Sequence, residues 1–181
     1  MTGKEAIRNE ILALRCRRGE PGAYEELVRL WERPLLYSLR RLVDDEGAAW
    51  DALQETWLKA FRGIAALRKA SSLPVWLYGI ARRTAMSHLR DVYARPESPE
   101  DPEGLEGFEE PEPDFEPEDA EEVHRGLLRI ARPFREVLAL YFLEGLSIAE
   151  IAEVVGIPSG TVKSRLHHAR RALREAMGPR R

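Results

Sequence analysis

The chain is poor in cysteine, in long apolar runs and in the short motifs that mark enzymes. Its 181 residues hold one cysteine, Cys16, which excludes a disulfide framework or a zinc cluster built on thiolates. The longest apolar stretch runs only from Val137 to Leu143, far short of the roughly 20 residues that span a bilayer. The N-terminus is charged and lacks the apolar core of a secretion signal. A soluble, cytoplasmic chain without membrane insertion is expected. Phosphate-binding glycine loops and metal-spaced His/Cys sets are also missing. Gly156-Ile-Pro-Ser-Gly160 places a serine between glycines, but not at the spacing of a nucleophile elbow. The sequence therefore predicts a protein that is not an enzyme and needs no cofactor or metal.

One segment has no positive charge at all. Residues 96–122 contain 14 Asp/Glu, no Lys/Arg and six of the 12 prolines. Such a stretch cannot bury enough apolar surface to fold alone, and self-repulsion and proline stiffness extend it. The flanking parts are basic, net +5 over residues 1–95 and net +6 over residues 123–181, although the whole chain is net −3. The overall charge thus conceals two basic units around an acidic tether. Strand-like alternation is weak throughout. We expect an all-α protein of two small helical domains, residues 1–95 and 120–181, joined by an acidic, Pro-rich linker over residues 96–119.

Helical spacing places core residues in the first domain. Leu27, Trp31, Leu35 and Leu39 recur along a helix from Ala23 to about Val43. Trp50, Leu53, Trp57, Ala60 and Phe61 share an arc of a second helix, from Ala48 to about Leu67. Trp50 and Trp57 are read as core. A third helix opens at Pro74 and runs to about Val92. In the second domain, one helix covers Val123 to Ala131 and the next starts at Pro133.

The most specific pattern lies near the C-terminus. Ser147 and Glu150 fit a capping box, and Ile148, Ile151, Ala152 and Val155 form one apolar face. Gly156 suits the left-handed end of that helix, and Pro158 cannot continue it. Ser159 or Thr161 can start another helix, with Val162, Leu166, Ala169 and Leu173 facing inward. At about 100° per residue, Ser164, His167, His168 and Arg171 point the other way, flanked by Lys163, Arg165, Arg170 and Arg174. This is a helix-turn-helix whose second helix suits the DNA major groove, with small polar residues towards base edges and cations on phosphates.

Two surfaces in the first domain offer further contacts. Asp51, Gln54, Glu55, Leu58 and Arg62 lie opposite the core arc of their helix. A leucine within such a polar stripe can anchor a partner helix. The stretch from Arg68 to Arg90 mixes cations, aromatics and small polar residues. Arg82, Arg83 and Arg90 fall away from its core face of Leu77, Ile80, Ala81 and Thr84, a composition that can follow a single-stranded backbone.

Together these segments resemble a family. Asp51-Ala-Leu-Gln-Glu55-Thr-Trp-Leu58 resembles the polymerase-docking helix of bacterial sigma factors. Trp76-Leu-Tyr-Gly-Ile-Ala-Arg82-Arg83, with His88-Leu-Arg90, is similar to the segment that recognises and opens the −10 element. Gly160-Thr-Val-Lys-Ser-Arg-Leu166 is similar to the −35-reading helix, and the layout resembles the extracytoplasmic-function, or group 4, sigma factors. The resemblance spans about residues 20–95 and 120–177. It implies that Asp51, Gln54, Glu55, Leu58 and Arg62 dock on the β′ clamp helices of core RNA polymerase. It places Arg68, Lys69, Trp76, Arg82, Arg83 and Arg90 at the unstacked −10 strand. Ser159, Thr161, Lys163, Ser164, Arg165, His167, His168 and Arg171 then serve duplex −35 DNA, with the second domain seated on the β flap. An acidic linker would imitate RNA in the polymerase exit path, and the family admits an anti-sigma factor as a further partner. The family often has Asn where this chain has Arg83, and Asp where it has Ser87; both bear on −10 base preference. The competing reading is a helix-turn-helix regulator that binds duplex DNA without touching polymerase.

Overall fold

A computed structural model describes residues 3–43, 45–92 and 120–177. The expected linker over residues 96–119 lies outside these. The described residues form helices and turns, with no strand among them. The first half comprises α1 (Gly3–Arg17), α2 (Ala23–Leu42), α3 (Glu46–Gly63) and α4 (Leu73–Val92), with 3₁₀ turns at Ile64–Ala66 and Ala70–Ser72 between α3 and α4. The second half comprises α5 (Ala120–Arg129), α6 (Arg132–Leu138), a π-helical turn (Ala139–Leu143), α7 (Ile148–Val155) and α8 (Ser159–Met177). No helix among the described residues is long and apolar enough to cross a membrane.

The predicted periodicity explains α2. Leu27, Trp31, Leu35 and Leu39 are buried at four-residue intervals. Burying such side chains is worth about 1.5–3 kcal/mol each, enough for the helix to carry Pro34 in its interior at the loss of one backbone hydrogen bond. Asp45 caps α3 by accepting from the Ala48 amide at 2.6 Å. In α4, Leu77, Ala81 and Thr84 are buried against the neighbouring helices.

Helix α1 was not foreseen. It buries only a short set, Asn9, Leu12, Ala13 and Cys16, and leaves Ile7 and Ile11 exposed. Its apolar residues therefore lie on more than one side and make no clean stripe. Cys16 is a buried core residue. Its carbonyl accepts from the Tyr24 hydroxyl at 3.1 Å, which ties α1 to the start of α2.

The two halves are not merely tethered. Helix α4 packs along α7, and α2 packs along α6 and the π turn. Buried side chains of both halves join one apolar cluster.

Candidate nucleic-acid and partner interfaces

The helix-turn-helix forms as its residues dictate. Ser147 Oγ accepts from the Glu150 amide at 3.3 Å, and the Ser147 amide donates to Glu150 Oε2 at 2.8 Å. Both bonds of the capping box are present, so two free backbone donors at the start of α7 are satisfied. Gly156 ends α7 at φ 75°, ψ 35°, a left-handed conformation that a Cβ disfavours. The Pro158 carbonyl accepts the Val162 amide at 3.1 Å and opens α8. Val162, Leu166 and Ala169 are fully buried and Leu173 nearly so.

The outer face of α8 differs from expectation at one position. Ser159, His167 and Arg171 are exposed, and Thr161, Lys163, Arg165 and His168 are half-buried. Ser164, expected on the outer face, is only 1% exposed. Helix α8 packs against α5, α6 and α7, so more than one of its arcs is covered and a two-faced wheel misplaces Ser164. His168 stacks on Phe134, with ring centroids 6.5 Å apart and planes 21° apart. Burial, then the charges of Arg171 and His167, hold the His168 imidazole below its ordinary value. Cations along α8 are Lys163, Arg165 and Arg170, half-buried, and Arg171 and Arg174, exposed; Arg171 Nε lies 3.8 Å from Glu175 Oε1.

Helix α3 presents a more apolar edge than its composition predicts. Asp51, Gln54, Leu58 and Arg62 are exposed, and Leu58 stands 55% open. Trp50, expected in the core, is 40% exposed, and Phe61 is 38% exposed. The arc drawn from sequence was too wide: Ala49, Leu53, Trp57 and Ala60 fill the inner face and leave Trp50 beyond it. Trp50, Gln54, Leu58 and Phe61 follow a 4-4-3 spacing and make one outward ridge. Phe61 stacks on Trp57 at 5.7 Å between centroids and meets Tyr24 edge-on at 5.5 Å, so the ridge rests on packed rings. Trp50 and Phe61 were missed as surface residues. Their spacing relative to Leu58 was the available signal.

Glu55, beside this ridge, is already engaged. Its two oxygens meet Lys59 Nζ and His88 Nε2, each at 2.7 Å. Those partners, Lys59 first, hold its carboxyl below the ordinary carboxylate value. Lys59 also donates to Thr84 Oγ1 at 3.1 Å. The stripe on α3 and the arginine-bearing helix α4 are therefore joined by side chains.

Around α4 the expected strand-binding residues divide. Arg68, Lys69, Arg83 and Arg90 are exposed. Trp76 is half-buried, and its ring passes 3.1 Å from where a Cβ on Gly63 would stand; the glycine lets the indole close over the end of α3. Arg82 does not reach solvent freely. Its Nε donates to Glu136 Oε1 at 2.7 Å, across to the second half.

Comparison with known proteins accounts for this arrangement. Residues 27–95 match the family described as Sigma-70 region 2, and residues 121–173 match Sigma-70, region 4. The RNA polymerase sigma-H factor of Pseudomonas aeruginosa is 34% identical, over 95% of each chain. The ECF RNA polymerase sigma factor SigC of Mycobacterium tuberculosis is 35% identical, over 90% of this chain and 87% of that one. Among solved structures, the sigma factor RpoE of Bartonella quintana, in complex with the anti-sigma factor NepR, aligns with a TM-score of 0.65 at 24% identity, covering 86% of this chain and 96% of that one. CnrH in complex with the cytosolic domain of CnrY aligns at a TM-score of 0.64 and 22% identity, over 91% of this chain and 94% of that one. The fold and the paired regions define a promoter-recognition subunit of the sigma-70 class. Within that class, the chain belongs to the extracytoplasmic-function sigma factors. It binds core RNA polymerase and promoter DNA and serves transcription initiation; a duplex-only regulator is not favoured.

Proposed function

We propose that the three surfaces divide the work of initiation. The α3 ridge docks on the β′ clamp helices through Leu58, with Asp51, Gln54, Glu55 and Arg62 around it and Trp50 and Phe61 extending the apolar contact. Arg68, Lys69, Trp76, Arg82, Arg83 and Arg90 hold the unstacked −10 strand. Helix α8 enters the −35 major groove with Ser159 and Thr161 at its leading end, while Lys163, Arg165 and Arg171 hold phosphates. The second half rests on the β flap, and the acidic residues 96–119 follow the RNA path. The protein acts in the cytoplasm, without enzymatic activity of its own, and an anti-sigma factor is a further partner.

The observation that carries this reading is the open apolar ridge on α3. A large apolar residue that stays exposed among charges at helical spacing fits a partner helix better than a solvated face. Leu58→Glu tests it. Core polymerase binding should weaken by at least about 2 kcal/mol, as for a central anchor residue, with unchanged helical circular dichroism. Normal capture of core polymerase by the variant would reject the docking face.

A further inference from the structure

Four side chains of α3 and α4 close a ladder between the two helices. Along α3, Glu55 Oε1 meets Lys59 Nζ at 2.7 Å, one turn on. Across to α4, Glu55 Oε2 meets His88 Nε2 at 2.7 Å, and Lys59 Nζ donates to Thr84 Oγ1 at 3.1 Å. Thr84 and His88 are again one turn apart, so the two rungs are separated by about 5.4 Å along the helices. Numbers rise on α3 as they fall on α4, so the helices run antiparallel here.

Stability does not account for this ladder. Glu55, Lys59 and His88 are all partly open to solvent, and exposed charge pairs contribute little to folding. Apolar packing already holds α3 against α4, but apolar burial is non-directional. It brings the helices together without fixing how far α4 slides or turns. Hydrogen bonds weaken steeply with angle. Two of them one turn apart fix both movements, where a single rung would leave a pivot. Thr84 is fully buried, so one rung is anchored in the core.

The neighbouring arc of α4 is what the rungs aim. Arg83, Ser87 and Arg90 follow a 4-3 spacing and form one ridge, with Arg83 and Arg90 exposed. Arg83 directly precedes Thr84, and Ser87 directly precedes His88. The heading of the ridge is therefore set by residues one step away from it.

We infer that Lys59 and His88 are positioning residues for the promoter strand: through Thr84 and Glu55 they lock the heading of the Arg83–Ser87–Arg90 ridge, and they touch neither the strand nor polymerase themselves. This inference deepens the assignment of α4 to the −10 strand and rests on it.

The test uses the full chain assembled with core polymerase. His88→Leu and Lys59→Met each remove one rung at similar size, so either suffices should the other fail to fold. His88→Gln keeps a donor towards Glu55. Arg83→Ala probes the strand assignment itself. Three quantities are read: capture of core polymerase, the melting temperature of the free chain, and holoenzyme affinity for a labelled single strand carrying the non-template −10 sequence. Both rung variants should capture polymerase and melt as the parent does. They should bind the strand on the order of fivefold more weakly, the worth of one net hydrogen bond, and His88→Gln should recover most of that loss. Parental strand affinity in the rung variants, with Arg83→Ala weakened, overturns the positioning role and leaves the strand assignment standing. Parental affinity in Arg83→Ala as well overturns the strand assignment, and the inference falls with it. A loss that His88→Gln does not recover, or that comes with a lower melting temperature, assigns the ladder to the fold alone and overturns the inference.

Discussion

Helices α4 and α8 both carry arginines, and both are assigned to DNA, yet the fold treats them differently. On α8 the inner residues Val162, Leu166 and Ala169 are sealed within its own half, and His167 and Arg171 are left to solvent. On α4 the nearest equivalent, Arg82, is bonded to the other half through Glu136, while Arg83 one residue on is exposed. Arg171 also has an acid near it, Glu175 Oε1 at 3.8 Å, but that pair lies on one helix and in the open, whereas Arg82 is held by the other half. In the proposed assignment, duplex DNA meets α8 at Arg171, and a single strand meets Arg68, Lys69, Arg83 and Arg90, which are exposed, while Arg82 is paired with Glu136.

The largest test of this contrast is in the packing beneath α8. Leu166→Ala empties a fully buried site and should cost about 2–5 kcal/mol. Because α4 and α7 pack together, the loss should be felt beyond the second half. Calorimetry should show one lowered transition for the whole chain. A separate early transition, with the remainder melting as before, would mean that the halves are energetically independent and the contrast is one of local exposure alone.

A smaller effect separates the cations of α8. Arg171→Ala should reduce the slope of log affinity against log salt for duplex −35 DNA by about one phosphate contact. Arg165→Ala should reduce it less in the free protein, because Arg165 is half-buried where Arg171 is exposed. Equal reductions would show that exposure in the free protein does not set the phosphate contacts. No change for Arg171→Ala would remove it from the phosphate contacts.

The smallest effect concerns the link between α3 and α4. Lys59 and His88 hold the Glu55 carboxyl below its ordinary value of 4.5. A depressed carboxyl stabilises the fold fully above 4.5 and loses that contribution as pH falls through its folded value. Glu55 is about two-fifths exposed, so solvent screening keeps the effect small. Thermal melts below pH 4.5 should show a slightly shallower acid decline for Glu55→Gln than for the parent. Superimposable acid declines would show that the link contributes nothing to stability.

Much of this was legible from residue types at fixed spacing. The Ser147–Glu150 box, the Gly156 stop and the inward set of α8 are local features, decided within a turn or two of backbone. The stripe on α3 was also visible, since Leu58 among charges needs no tertiary knowledge to notice. The misplaced residues share one cause. The sequence points Trp50 inward because tryptophan is large and apolar, but the neighbours of α3 cover Ala49, Ala52, Leu53, Thr56, Trp57 and Ala60 and leave Trp50 beyond them. Ser164 was assigned outward because the helical wheel has two faces, but α8 has three neighbouring helices. Helix α1 went unseen because its apolar residues are divided between core and solvent.

The sequence by itself determined the helical class, the helix-turn-helix, the charge partition and the family, because each depends on side chains near one another along the chain or on composition. The tertiary structure decided which faces stay open. That depends on what lies across a gap of many residues: Glu136 meets Arg82 from 54 positions away, and Glu144 meets Tyr78 from 66. No periodicity in α4 records those partners, so only the folded chain shows that its arginine is already occupied.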